Sequence, residues 1–195
     1  MQELQKVKKA ERRLSAKICY VSMFVGIIIV CAWFSILVGG IPVTLQTLGV
    51  CLAAGFLGRK YGVAAVAAYM ALGFCGVPVF AGFTGGVSKL ALPTGGYIVG
   101  FLPMSFVIGL FSDRIKVGDS KRSAFLLALG CFLGIVLCYA VGTVWFMGYA
   151  YRTEGVVSLS AALLICVLPY FPFEFLKISL AVFLILKLKK YIRIR

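Results

Sequence analysis

The chain has 195 residues and is 62% hydrophobic and only 13% charged, whereas an average soluble domain is about 45–50% apolar and about 25% charged. One core of this size cannot hide that much apolar surface, so the composition excludes a soluble globule and requires lipid as the main solvent. The net charge of +14 suggests nucleic acid as a partner, but its placement excludes one: Lys6, Lys8, Lys9, Arg12, Arg13 and Lys17 crowd one end and Lys187, Lys189, Lys190, Arg193 and Arg195 the other, flanking long apolar runs.

A membrane helix needs roughly 20 apolar residues, with about 17–25 tolerated. After a basic segment, residues 1–17, the first apolar run spans Ile18 to Val38 and stops at Gly39-Gly40-Ile41-Pro42. It is too long for a signal-peptide core and carries no small-residue cleavage site, so it is expected to be a retained helix. The second span covers Val43 to Leu57, closed by Gly58-Arg59-Lys60, and the third runs from Tyr61 to Cys75, stopped by Gly76-Val77-Pro78. Both are short, which predicts little tilt or ends buried in protein. The fourth begins after Pro93-Thr94 and ends near Ser112-Asp113-Arg114, and the fifth spans Ser123 to Met147. The last apolar stretch, Val156 to Leu186, is interrupted by Leu168-Pro169-Tyr170-Phe171-Pro172, and two prolines three apart break a helix. Ser160–Leu168 is therefore a short helical segment on the outer side and Phe173–Leu186 the sixth span.

The predicted fold is an all-α membrane protein, a bundle of six transmembrane helices over residues 18–186, with a basic tail at 187–195. An even number of spans puts both basic ends on one side, together with Arg59, Lys60, Arg114, Lys116, Lys121 and Arg122. The opposite connections carry only Lys89 and Arg152, apart from Lys177 at the start of the last span. The positive-inside bias then predicts a multi-pass protein of the cytoplasmic membrane with both termini in the cytoplasm.

Little in the chain suits catalysis. There is no histidine, and the seven cysteines form no CxxC pair and sit mostly inside apolar runs, which argues against metal sites and imidazole acid–base chemistry. Only six acidic residues occur, with no paired-carboxylate motif and no nucleophile elbow, so an intramembrane enzyme is the weaker alternative. No phosphate-binding P-loop is present, so the chain does not consume ATP itself.

The unusual residues gather on the predicted outer face. Gly39 to Leu48 joins the first two spans, Gly76 to Gly86 and Leu92 to Tyr97 make up the link to the fourth, and Pro169 to Lys177 opens the sixth. Any one of these loops alone is an ordinary turn. Irregular backbone at membrane depth, however, is tolerated only where protein buries it or it lines a cavity, so three such segments on one face suggest the walls of an outward-facing substrate cavity. Glu174 and Lys177 lie three apart at a helix start and share a face. A charge at the bilayer centre costs about 2.5–3.5 kcal/mol on insertion scales. Two readings stand: a functional pair inside the bundle, or an interfacial pair with Lys177 extended toward water. Gln46 and Tyr97 are likewise either site residues or interface anchors.

Ile41-Pro-Val-Thr-Leu-Gln-Thr-Leu48, Val77-Pro-Val-Phe80 with Gly85-Gly86, and Pro93-Thr-Gly-Gly-Tyr97, in this order and spacing, resemble the signature of the BioY family of biotin-specific S components in energy-coupling-factor (ECF) transporters. The resemblance implies a six-helix bundle whose biotin site uses Gln46, Gly96, Tyr97 and Lys177. It also implies partners, a transmembrane coupling subunit and two cytoplasmic ATPases; a solitary facilitator is the alternative within transport. The family usually shows Pro-Gly-Asp followed three residues later by Lys, where this chain has Pro172-Phe173-Glu174 and then Lys177. Biotin offers a carboxylate, a ureido ring with two N–H donors and one carbonyl, and an apolar body. On that chemistry Lys177 is expected to meet the carboxylate and Glu174 to accept ureido N–H groups. Gln46 or the Tyr97 hydroxyl would then donate to the ureido oxygen, while Phe80, Phe83 and Tyr97 pack on the apolar body. No cofactor or metal is expected.

Overall fold

The computed structural model describes residues 1–38, 41–115, 120–153, 155–156 and 158–189, with side chains for all of these except 2–4, 6–13, 36–38, 41–42 and 120. The Gly39-Gly40 pair, expected to stop the first span, and the topology signals Lys116, Lys190, Arg193 and Arg195 lie outside the described residues.

Helix α1, Gln2–Trp33, begins in the basic segment and ends earlier than the apolar run suggested. The helix of the first span thus stops at Trp33 rather than at the expected Val38. Ser35–Val38 forms strand β1, which pairs antiparallel with β2, Ile41–Thr44, in the register Ser35↔Thr44 through Val38↔Ile41. Pro42 explains the switch. It cannot extend a helix, and in a two-stranded ribbon both strands are edges, where a missing N–H is tolerated. The otherwise helical bundle therefore carries a β-hairpin.

Helix α2, Gln46–Phe74, folds back on itself at Gly58, whose φ of 75° and ψ of −174° are not helical. A Cβ built on Gly62 would lie 2.7 Å from the Cα of Ala54. Residues eight apart in one straight helix stand about 12 Å apart along the axis, so the limbs 46–57 and 59–74 run side by side. The Arg59 N–H donates to Asp113 Oδ2 at 3.2 Å, fixing the reversal to the end of the next helix. The predicted second and third spans are these limbs. The first is buried almost all round, as a helix short of membrane length must be.

Helix α3, Gly95–Asp113, starts where Pro93-Thr94 placed it, and α4, Ser120–Thr153, overruns the predicted fifth span at both ends. Helix α5, Leu159–Cys166, is capped by Ser158 Oγ accepting the Ala161 N–H at 3.3 Å. It meets α6, Phe171–Leu188, at a bend of 52°, the predicted interruption. Among the described residues, four helices (α1 from Leu14, α2, α3, α4) are long and apolar enough to cross a membrane, and the bent pair α5–α6 makes a fifth. Counting the limbs of α2 separately gives the six-span bundle. The core follows from the contacts of α2 with α1, α3 and α6 and of α3 with α4.

At one end of the bundle Lys189 Nζ donates to Gly55 O at 3.0 Å and Ser112 Oγ at 2.6 Å, close to the Gly58 reversal. The β-hairpin, the 74–95 link and the α5–α6 bend lie at the other end.

Candidate substrate-binding site

A cavity of about 350 Å³ opens at that second end, within the roughly 300–1,000 Å³ typical of small-molecule sites. Val43, Phe80, Leu92, Pro93, Ile98 and Phe101 give it an apolar wall, and Gln46, Thr47, Tyr97, Tyr139, Glu174 and Lys177 supply polar groups. The segments that the sequence singled out do converge. β2 and the start of α2, the link before α3, and the α5–α6 bend all contribute, joined by the middle of α4.

Glu174 and Lys177 are only 4% and 6% exposed, so the interfacial reading of this pair is replaced by the buried one. Lys177 Nζ lies 2.7 Å from Glu174 Oε1 and donates to Thr47 Oγ1 at 3.1 Å. Thr47 Oγ1 in turn donates to Glu174 Oε1 at 3.2 Å, and the Tyr139 hydroxyl does so at 3.3 Å. Oε1 thus gathers three donors, while Oε2 is buried with no hydrogen-bond partner among the described residues. An unmatched buried carboxylate oxygen carries a desolvation cost, and an N–H from a ligand would remove it. Glu174 also sits in the first turn of α6, where the helix dipole favours negative charge.

Gln46 begins α2 and is 6% exposed. Its Oε1 accepts from Thr44 Oγ1 at 3.0 Å and its Nε2 donates to the Tyr69 hydroxyl at 2.6 Å, so the amide is held rigidly at the cavity wall. Tyr97 meets Tyr139 edge to face at 5.7 Å between ring centroids. Its hydroxyl is buried and approaches Thr143 and Cys166 without completing a hydrogen bond of good geometry. Phe80 is 2% exposed, edge-on to Tyr69 at 5.5 Å, and fills the space left by the absent side chain of Gly73.

Two expected residues stand elsewhere. Gly96 is buried against α4, where an added Cβ would strike Trp145. Successive helical residues point about 100° apart, so with Tyr97 facing the cavity its neighbour Gly96 faces the α3–α4 seam. Phe83 is 63% exposed and stacks on Trp33 at 5.0 Å, because the Phe80↔Thr84 bridge pinches residues 81–83 into a bulge that turns it outward. Sequence reasoning passed over Thr47, Tyr69 and Tyr139. Each is a hydroxyl in an apolar run, which was the available signal, since an isolated polar group at membrane depth needs a partner.

The sequence profile of the BioY family matches residues 3–194. The chain belongs to the BioY family. Among its members, the biotin transporter BioY of Thermotoga maritima is 39% identical, over 86% of this chain and 92% of that protein. The probable biotin transporter BioY of Pyrococcus horikoshii is 32% identical, over 85% and 91%. The crystal structure of the S-component for biotin from an ECF-type ABC transporter superposes with a TM-score of 0.76 at 27% identity, covering 99% of this chain and all of that one. The BioY relationship therefore runs the whole length of the bundle, with the cavity included.

Proposed function

We propose that the chain binds biotin in this cavity and carries it across the cytoplasmic membrane as the substrate-binding subunit of an ECF-type transporter. The observation that carries the reading is the Glu174–Lys177 cluster with its unpartnered Oε2, set in an apolar cavity of a chain matching a biotin transporter over 86% of its length. Gln46, Tyr97, Glu174 and Lys177 are its polar contacts and Phe80 packs on the ring system. Gly96 serves by letting α3 close on α4, and Phe83 by holding the rim through Trp33. The family is one of transporters, and no reaction is assigned to the chain. A transmembrane coupling subunit and two cytoplasmic ATPases supply the energy, and the basic flanks hold both termini in the cytoplasm so that the cavity faces outward.

Melting the purified protein with a panel of vitamins tests the binding half. A ligand that binds only the folded state adds RT ln(1 + [L]/Kd) to stability, about 2.7 kcal/mol at a hundredfold excess over Kd. Biotin should raise the melting temperature and unrelated vitamins should not; no shift with saturating biotin overturns the reading. Copurification of two ATPases and a membrane subunit from the native host tests the transport half.

A further inference from the structure

Among the described residues, three charged side chains line the cavity: Glu174, Lys177 and Lys89. Two of them cancel, since Lys177 spends its charge on Glu174 at 2.7 Å and a second donor on Thr47. A carboxylate brought to Lys177 would also face Glu174, whose Oε2 is already without a donor, and like charges held together in a poorly solvated site repel. Lys89 differs. It lies in the short 3₁₀ helix Val87–Ala91 of the link before α3, is half-buried, and has no ion pair or side-chain hydrogen bond among the described residues. The cavity wall therefore carries one unbalanced positive charge, and Lys89 supplies it.

We infer that Lys89 is the specificity residue for the ligand's carboxylate, and that the neutral Glu174–Lys177 pair reads the uncharged ureido head. This assignment rests on the biotin reading above and reverses the expectation that Lys177 meets the carboxylate. The chemistry sorts by depth. A ureido ring has N–H donors for Oε2 and a carbonyl for an ammonium or amide donor, so it suits the buried cluster. A carboxylate loses less hydration at a half-exposed ammonium on a loop, where Lys acts as an adjustable point charge.

Equilibrium binding of biotin and of biotin methyl ester to the purified full-length protein tests the assignment. The wild type should prefer biotin by about tenfold, the contribution of one partly solvated charge-assisted hydrogen bond. Lys89→Met should abolish that preference by weakening biotin alone, Lys89→Arg should keep it, and added salt should erode it. Lys177→Met should weaken acid and ester alike. A Lys89→Met protein that still prefers the acid by the wild-type factor overturns the inference, as does a Lys177→Met protein that binds the ester normally and the acid poorly. Failure of the wild type to bind either compound would instead remove the biotin reading itself.

Discussion

Glu174 Oε1 collects Lys177, Thr47 and Tyr139, and this crowding makes the pair a structural element as well as a recognition element. Removing one member of a buried ion pair leaves the other uncompensated and costs about 3–5 kcal/mol, far more than the intact pair contributes. Lys177→Met should therefore lower the melting temperature of the ligand-free protein strongly. Combining it with Glu174→Gln should recover much of the loss, because the amide oxygen still accepts from Thr47 and Tyr139 without a stranded charge. Both variants should lose biotin binding. A single variant that melts like the wild type would mean that the pair is solvated rather than buried. Tyr139 and Thr47 are the residues that a pattern-based reading could not rank. Their hydroxyls look like ordinary members of apolar runs until the fold brings α4 and the start of α2 against α6.

Among the elements, legibility depended on whether the local signal was unique to one structure. The Gly58-Arg59-Lys60 turn was legible because charge and glycine together interrupt an apolar run. The α5–α6 bend was legible because Pro169 and Pro172 exclude an unbroken helix. The end of α1 was not. Phe34-Ser-Ile-Leu-Val38 is as apolar and β-branched as a helix end or a strand, and only its pairing with Ile41–Thr44 decides between them. Gly96 and Tyr97 belong to one motif, yet only three-dimensional phase shows that Tyr97 lines the cavity while Gly96 is packed against Trp145. The reversal at Gly58 gives the sharpest test at this scale. Its φ of 75° with ψ of −174° lies in a region almost restricted to glycine, costing about 1–3 kcal/mol for other residues, and a Cβ there would meet the Asp113 carboxylate. Gly58→Ala should destabilise by about 2 kcal/mol or more. Adding Asp113→Ala should relieve the collision and not the backbone strain, so the double variant should stay below the wild type in a melting experiment. Full recovery would show that the strain is absent.

On the scale of the whole molecule, the two ends of the bundle differ in composition. One end carries the Gly58 reversal, Arg59 and Arg114, with Lys189 bridging carbonyl and hydroxyl groups near the ends of the first limb of α2 and of α3. Lys17 stands 5.0 Å from the Tyr61 ring at this end as well. The other end carries the cavity, the β-hairpin and an aromatic rim in which Trp33 donates to Pro78 O at 3.0 Å and stacks on Phe83. Cationic loops resist translocation, and Trp prefers the headgroup level, so this asymmetry predicts an orientation independently of any homologue. Single cysteines in a cysteine-free background provide the measurement. Phe83→Cys, exposed at the rim, should react with a membrane-impermeant maleimide in intact cells, and Arg114→Cys only after lysis. The reverse pattern would put the cavity mouth in the cytoplasm and contradict the proposed capture of external substrate. Labelling of both positions from outside would deny that the first limb of α2 and the helix α3 reach the opposite face of the membrane.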